Sequence, residues 1–191
     1  MTQITKTLTL VLLGGSFVVG CAGSEEPAKD NETTANSQPD PAYLMTEKPA
    51  NAEDVGAARK NVKDDEEVML TGRIGGSGKP FVDGLAAFTI VDLSVKHCAP
   101  EENCPTPWDY CCMQNEVKDN IATVKVVNAS GQIVDKGAKQ LLGAKELDQV
   151  IVKGKAKRDD AGNLTVLAEK VFVERGASQE SRAKSQEPEG D

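Results

Sequence analysis

The residues of this chain best equipped for chemistry crowd into one stretch, His97-Cys98 followed by Cys104-Pro105-Thr106-Pro107-Trp108-Asp109-Tyr110-Cys111-Cys112. Four of the five cysteines and the one histidine fall there. A thiol can pair as a disulfide, ligate a soft metal ion as its thiolate, or cycle as a redox group. The spacing C-x5-C-x6-C-C lacks the paired C-x2-C knuckles that make zinc or iron–sulfur sites recognisable. A metal site built on Cys98, Cys104, Cys111 and Cys112, or on His97 with three of them, is therefore the alternative rather than the expectation. A redox-active thiol pair is the third possibility.

Which chemistry a thiol follows depends on its compartment, and the start of the chain speaks to that. A lone basic residue, Lys6, precedes an apolar run over 8–19. About a dozen apolar residues are too few to span a bilayer but match the core of an export signal. The run closes on Val18-Val19-Gly20-Cys21, which resembles the bacterial lipobox, whose cysteine becomes the lipidated first residue of the mature protein. The resemblance implies a signal peptide over 1–20, a lipid on Cys21 and a place in the bacterial cell envelope, on a membrane and facing the periplasm or the exterior. Ala22 follows, so the aspartate that marks inner-membrane retention in some proteobacteria is absent. With Cys21 consumed, an even number of cysteines remains in an oxidising compartment, and two disulfides are expected. Cys111 and Cys112 are adjacent and bond each other poorly, so each is expected to reach back to Cys98 or Cys104, with the pairing left open.

Other chemistry is sparse. Gly75-Gly76-Ser77-Gly78-Lys79 has phosphate-loop composition, but Arg73 stands where the earlier glycine belongs and Pro80 where Ser or Thr belongs, so it reads as a turn. Lys153, Lys155 and Lys157 share one face of an expected strand and could follow a polyanion, though such lysines commonly serve solubility. The chain is only 4% aromatic, which leaves Trp108 and Tyr110 as candidate contact residues and argues against nucleic-acid binding by base stacking. Asn128-Ala129-Ser130 matches a glycosylation acceptor but reads as a turn. Nucleophilic catalysis would need His97, whose neighbours are the prospective disulfide cysteines, so no enzyme and no cofactor is expected.

The elements that must hold the cysteine stretch are mostly strands. Apolar alternation or β-branched runs mark strands over 67–74, 85–93, 121–127, 149–157 and 164–173, with helical composition over 136–147. Asp159-Asp160-Ala161-Gly162-Asn163 is a hairpin turn. Three strands, a short helix and two strands, carrying Val68-x-Leu70-x-Gly72-Arg73-Ile74, Phe88-x-Ile90-x-Asp92 and Leu142-Gly143 before Gln149-Val150-Ile151-Val152-Lys153-Gly154, resemble the OB-fold of tRNA-anticodon-type domains and small exported proteins. The resemblance implies an all-β, five-stranded Greek-key barrel over 66–175, with 94–120 as a cysteine-rich insertion between its second and third strands. Gly72 suits a first strand that bends to serve both sheets.

At 191 residues and 39% apolar, the chain has enough for one modest core. Residues 21–65 carry 5 basic and 10 acidic side chains, whereas 66–175 is near balance at 14 and 16. The flank over 21–65 reads as an acidic tether, and that over 176–191 as a disordered acidic tail. Within the tether, Asn51 can cap a short helix that places Val55, Ala58 and Val62 on one face. Clustered basic charge for nucleic acid or anionic lipid is lacking. The expected role is a non-enzymatic, lipid-anchored binding module with a protein or small-ligand partner met through its loops.

Overall fold

The computed structural model describes residues 38–174; the expected signal, Cys21 and the tail over 176–191 lie outside them. Among the described residues no helix is long and apolar enough to cross a membrane. The described residues are mostly sheet. Their six strands are β1 (Glu53–Asp54), β2 (Glu67–Ile74), β3 (Ala87–Val91), β4 (Ile121–Val126), β5 (Gln149–Arg158) and β6 (Leu164–Glu174). Three helices are α1 (Val55–Asn61), α2 (Gln114–Asp119) and α3 (Ala138–Leu142).

Five of the strands close a barrel. Antiparallel pairs join β2 to β3, β3 to β4, β6 to β5 and β5 back to β2, while β4 and β6 pair in parallel. Strands β2 and β4 alternate residue by residue, whereas β3 is buried at Ala87, Phe88, Ile90 and Val91 alike. In β2, for example, Val68, Leu70, Gly72 and Ile74 face inward and the residues between them face out. Phe88, Ile90, Val124, Val126, Val150, Val152, Leu164, Val166 and Val171 complete the interior. Gly72 stands where β2 passes from pairing with β5 to pairing with β3; a Cβ there would lie 3.0 Å from the Val91 carbonyl oxygen. A register shift at Lys153/Gly154 bulges the β5–β6 ladder, and Gly154 there faces the Leu167 backbone so closely that no side chain fits.

The flank expected as a tether is partly structure. Residues 40–45 lie along β6, with the Asp40 amide donating to the Leu141 carbonyl and the Met45 amide to that of Val171. β1 pairs in parallel with β2. The helix α1 buries Val55 and Ala58 at its start and middle, and Val62 just beyond it, against the barrel, each contributing on the order of 1 kcal/mol or more. Its face is the expected one, but Asn51 is not its cap: Asn51 takes a left-handed φ of 65°, and the helix begins at Val55 after Asp54. Arg158 on β5 holds the other end, where its guanidinium donates to the Val62 carbonyl at 2.8 Å and to those of Ala58 and Arg59. A domain cut at residue 66 therefore loses part of its own core.

Candidate functional site

Between β3 and β4 the chain leaves the barrel for 29 residues, 92–120, and returns through α2. Asp92 starts the excursion. Its buried carboxylate accepts from the Gly56 amide at 2.7 Å and from the amide and hydroxyl of Ser94 at 2.9 and 2.6 Å, so it joins the end of β3 to α1. Burial pushes its pKa up, but the Ser94 hydroxyl and the two amides outweigh that and hold it below the ordinary aspartate value.

Short 3-10 turns at Pro100–Glu102, Pro107–Asp109 and Cys111–Met113 then fold the segment back on itself. Pro107 pre-sets the backbone of the second turn. Tyr110 joins the second turn to the third in the left-handed region, φ 56° and ψ 38°, a conformation that costs a bulky residue about 1–3 kcal/mol. The reversal it makes turns Cys111 and Cys112 toward Cys98 and Cys104. Asp109 secures the turn, accepting from the Thr106 hydroxyl at 2.6 Å and the Cys111 amide at 2.9 Å. The Thr106 hydroxyl is the main reason its carboxyl sits below the usual range.

Tyr110 itself is fully buried, in a small second core with Val91, Val95 and Val117. This corrects its expected role as a contact residue: it is the floor beneath the cysteines. Among the described residues no group meets its hydroxyl in hydrogen-bonding geometry, Arg73 lying near without doing so. Burial raises its pKa, with Arg73 nearby acting in the opposite sense. The Gly75-Gly76-Ser77-Gly78 turn receives this segment from the barrel side. The Gly76 amide donates to the Trp108 carbonyl at 2.8 Å, and the Trp108 indole donates to the Gly78 carbonyl at 3.2 Å. A Cβ on Gly75 would stand 2.6 Å from the Trp108 carbonyl oxygen, so that glycine is required by close approach. Trp108 is half-buried.

The four cysteine sulfurs meet at one point, all within 4.8 Å of one another. Cys111 is central, 3.4 Å from Cys104, 3.5 Å from Cys98 and 3.8 Å from Cys112. These separations are far longer than the about 2.05 Å of a disulfide, and the cysteines are unbonded, contrary to the expected two staples. The physical reason is that one sulfur faces two partners at nearly equal range, so no exclusive pair is set up. Cys98 is buried and held by its amide to the Pro107 carbonyl, Cys104 is half-buried, and Cys111 and Cys112 are exposed. Cys104 most, and less strongly Cys111 and Cys112, lower the Cys98 pKa against the opposing effect of burial. Cys104 and Cys111 are pushed up, chiefly by Cys98 and by Cys104 respectively. His97 lies outside this sulfur group; its ring packs 6.4 Å from that of Tyr110, and burial, then Arg73, lowers its pKa.

The three lysines of β5 do not act together. Lys157 is paired with Asp65 at 2.7 Å and Asp64 at 3.3 Å, Lys155 lines a separate cleft of about 530 Å³ with Tyr43 and Leu167, and Lys153 is exposed. Sequence reasoning brought these cysteines together, as two staples or as a four-thiolate metal site, but missed the burial of Tyr110 and the docking of Trp108 on the glycine turn; the signals that could have found the turn were the two prolines between Cys104 and Cys111 and the glycines opposite. No protein-family profile matches the chain, and no curated protein does.

Proposed function

We propose that this chain is an envelope-anchored, non-enzymatic protein in which Cys98, Cys104, Cys111 and Cys112 hold one thiophilic metal ion at the end of an OB-type barrel. The observation that carries the reading is the sulfur geometry. A tetrahedral zinc ion with bonds of about 2.3 Å requires sulfur–sulfur edges of about 3.8 Å. The separations of 3.4, 3.5 and 3.8 Å lie close to that edge. An iron–sulfur cluster would insert several irons and sulfides between the cysteines and spread them further than 4.8 Å, which favours a single ion. Four thiolates and no histidine suit a soft or borderline d10 ion such as Zn²⁺ over Mg²⁺ or Ca²⁺.

The OB assignment draws support from the ring order β2-β3-β4-β6-β5, the parallel β4–β6 closure and the position of α3 between the third and fourth barrel strands. Anchoring through Cys21 rests on the lipobox resemblance. Polyanion binding draws none from a lysine face interrupted by Asp64 and Asp65.

Titration of the reduced mature chain with Co²⁺ tests the metal reading. Intense thiolate-to-metal absorption together with tetrahedral d–d bands, saturating at one equivalent and lost in Cys98→Ser, is expected; octahedral cobalt spectra would refute it. Cys21→Ser should shift the protein from the membrane to the soluble fraction, and unchanged retention would refute the anchor.

A further inference from the structure

We infer, on the reading that the four thiolates hold one ion, that the ion is passed on rather than kept: it exchanges with thiol ligands through the exposed Cys111–Cys112 edge. Four thiolates fill the coordination of a zinc ion, so exchange has to begin with one of them leaving. Their exposure here is graded. Cys98 is only 4% exposed, and its amide donates to the Pro107 carbonyl at 3.4 Å. Cys104 is half-buried, and Cys111 and Cys112 stand in water. Cys112 makes the longest of the three sulfur contacts, 3.8 Å to Cys111, and sits beside Cys111 in the same turn. It can swing outward while Cys98, Cys104 and Cys111 retain the ion.

Charge works in the same direction. Four thiolates around a divalent ion leave two negative charges. The charged side chains between Cys98 and Cys112, namely Glu101, Glu102 and Asp109, are all acidic, with Lys96 standing two residues before Cys98. Excess negative charge around exposed ligands weakens the outermost bond most, because that thiolate gains most from hydration when it leaves.

The exchange step balances without redox chemistry. An incoming thiol loses its proton and bonds to the ion as the Cys112–metal bond breaks, Cys112 takes up a proton, and the ion stays divalent. The partner is then a donor or acceptor with thiolate ligands, either a small thiol or a protein.

The test uses the full mature chain loaded with one equivalent of Zn²⁺, with dithiothreitol as the thiol acceptor and a chromogenic chelator in fixed excess to report released zinc. Release should rise linearly with dithiothreitol concentration. Cys112→Ser should still bind one equivalent and release it at least tenfold faster, while Cys98→Ser should fail to bind stoichiometrically. Zinc bound by the wild-type chain but released at a rate indifferent to dithiothreitol, or at the same rate in Cys112→Ser, would overturn exchange and leave the metal reading standing. A wild-type chain that takes up no zinc would overturn the metal reading itself.

Discussion

Gly75→Ala isolates the seat of the cysteine segment from the cysteines themselves. Gly75 does not take a positive φ, so alanine there is purely a steric change. Its Cβ would stand 2.6 Å from the Trp108 carbonyl oxygen and 2.8 Å from Tyr110 Cε2. Ordinary contact begins at 3.4 Å, so Trp108 must retreat by about 0.8 Å, and Tyr110 is walled in by Val91, Val95 and Val117. Overpacking of this kind costs about 1–3 kcal/mol. Cys111 follows Tyr110 directly, and metal sites tolerate only about ±0.2 Å in their bond lengths, so much of the cost should fall on the site. Zinc affinity is expected to drop by about tenfold to a hundredfold. Trp108 is the sole tryptophan, so its emission reports the displacement without a label. Gly78→Ala is the control, with nothing within 4 Å of its Cβ and an expected change within about 0.5 kcal/mol. Gly75→Ala with wild-type emission, melting temperature and zinc affinity would refute the docking argument.

Three further outcomes follow from the packing. Asp92→Ala should cost about 2–4 kcal/mol by chemical denaturation, since it strips the Gly56 and Ser94 donors of their buried acceptor. Because the folded carboxyl titrates below its unfolded value, its contribution is complete above the ordinary aspartate pKa of about 3.9 and fades as the pH falls through the lower folded value; wild type and variant should therefore converge in strong acid. Tyr110→Phe should be neutral or stabilising by up to about 1 kcal/mol, because it removes an unpartnered hydroxyl, whereas Tyr110→Ala should cost about 3–5 kcal/mol; thermal melts of the pair separate a floor residue from an exposed contact residue. Gly154→Ala should abolish cooperative unfolding, as its Cβ meets the Leu167 carbonyl at the β5–β6 bulge, and a native-like melt would contradict that packing.

The barrel was legible because its information is local. Alternation within β2 and β4, the turn at 159–163 and the glycine at the bend of β2 each act over a few residues, and the observed strands fall within two residues of the expected bounds. The segment over 40–45 was not legible. Its contacts to Leu141 and Val171 are backbone hydrogen bonds, which leave no hydrophobic period and can form under a proline-rich composition. The glycine run over 75–78 was read correctly as a turn, but its purpose lies in Trp108, some thirty residues away. The cysteines show the same limit more sharply. Spacing alone suggested staples, whereas three 3-10 turns and the left-handed Tyr110 determine which sulfurs meet, and neither is visible in a spacing.

Native mass spectrometry of the full chain purified from cells without added metal, paired with alkylation of its thiols, tests the metal centre most directly. The added mass of one metal ion per chain is expected, with four cysteines, Cys98, Cys104, Cys111 and Cys112, that alkylate fully only after the ion is removed. A metal-free chain with these four cysteines joined as two disulfides would contradict it.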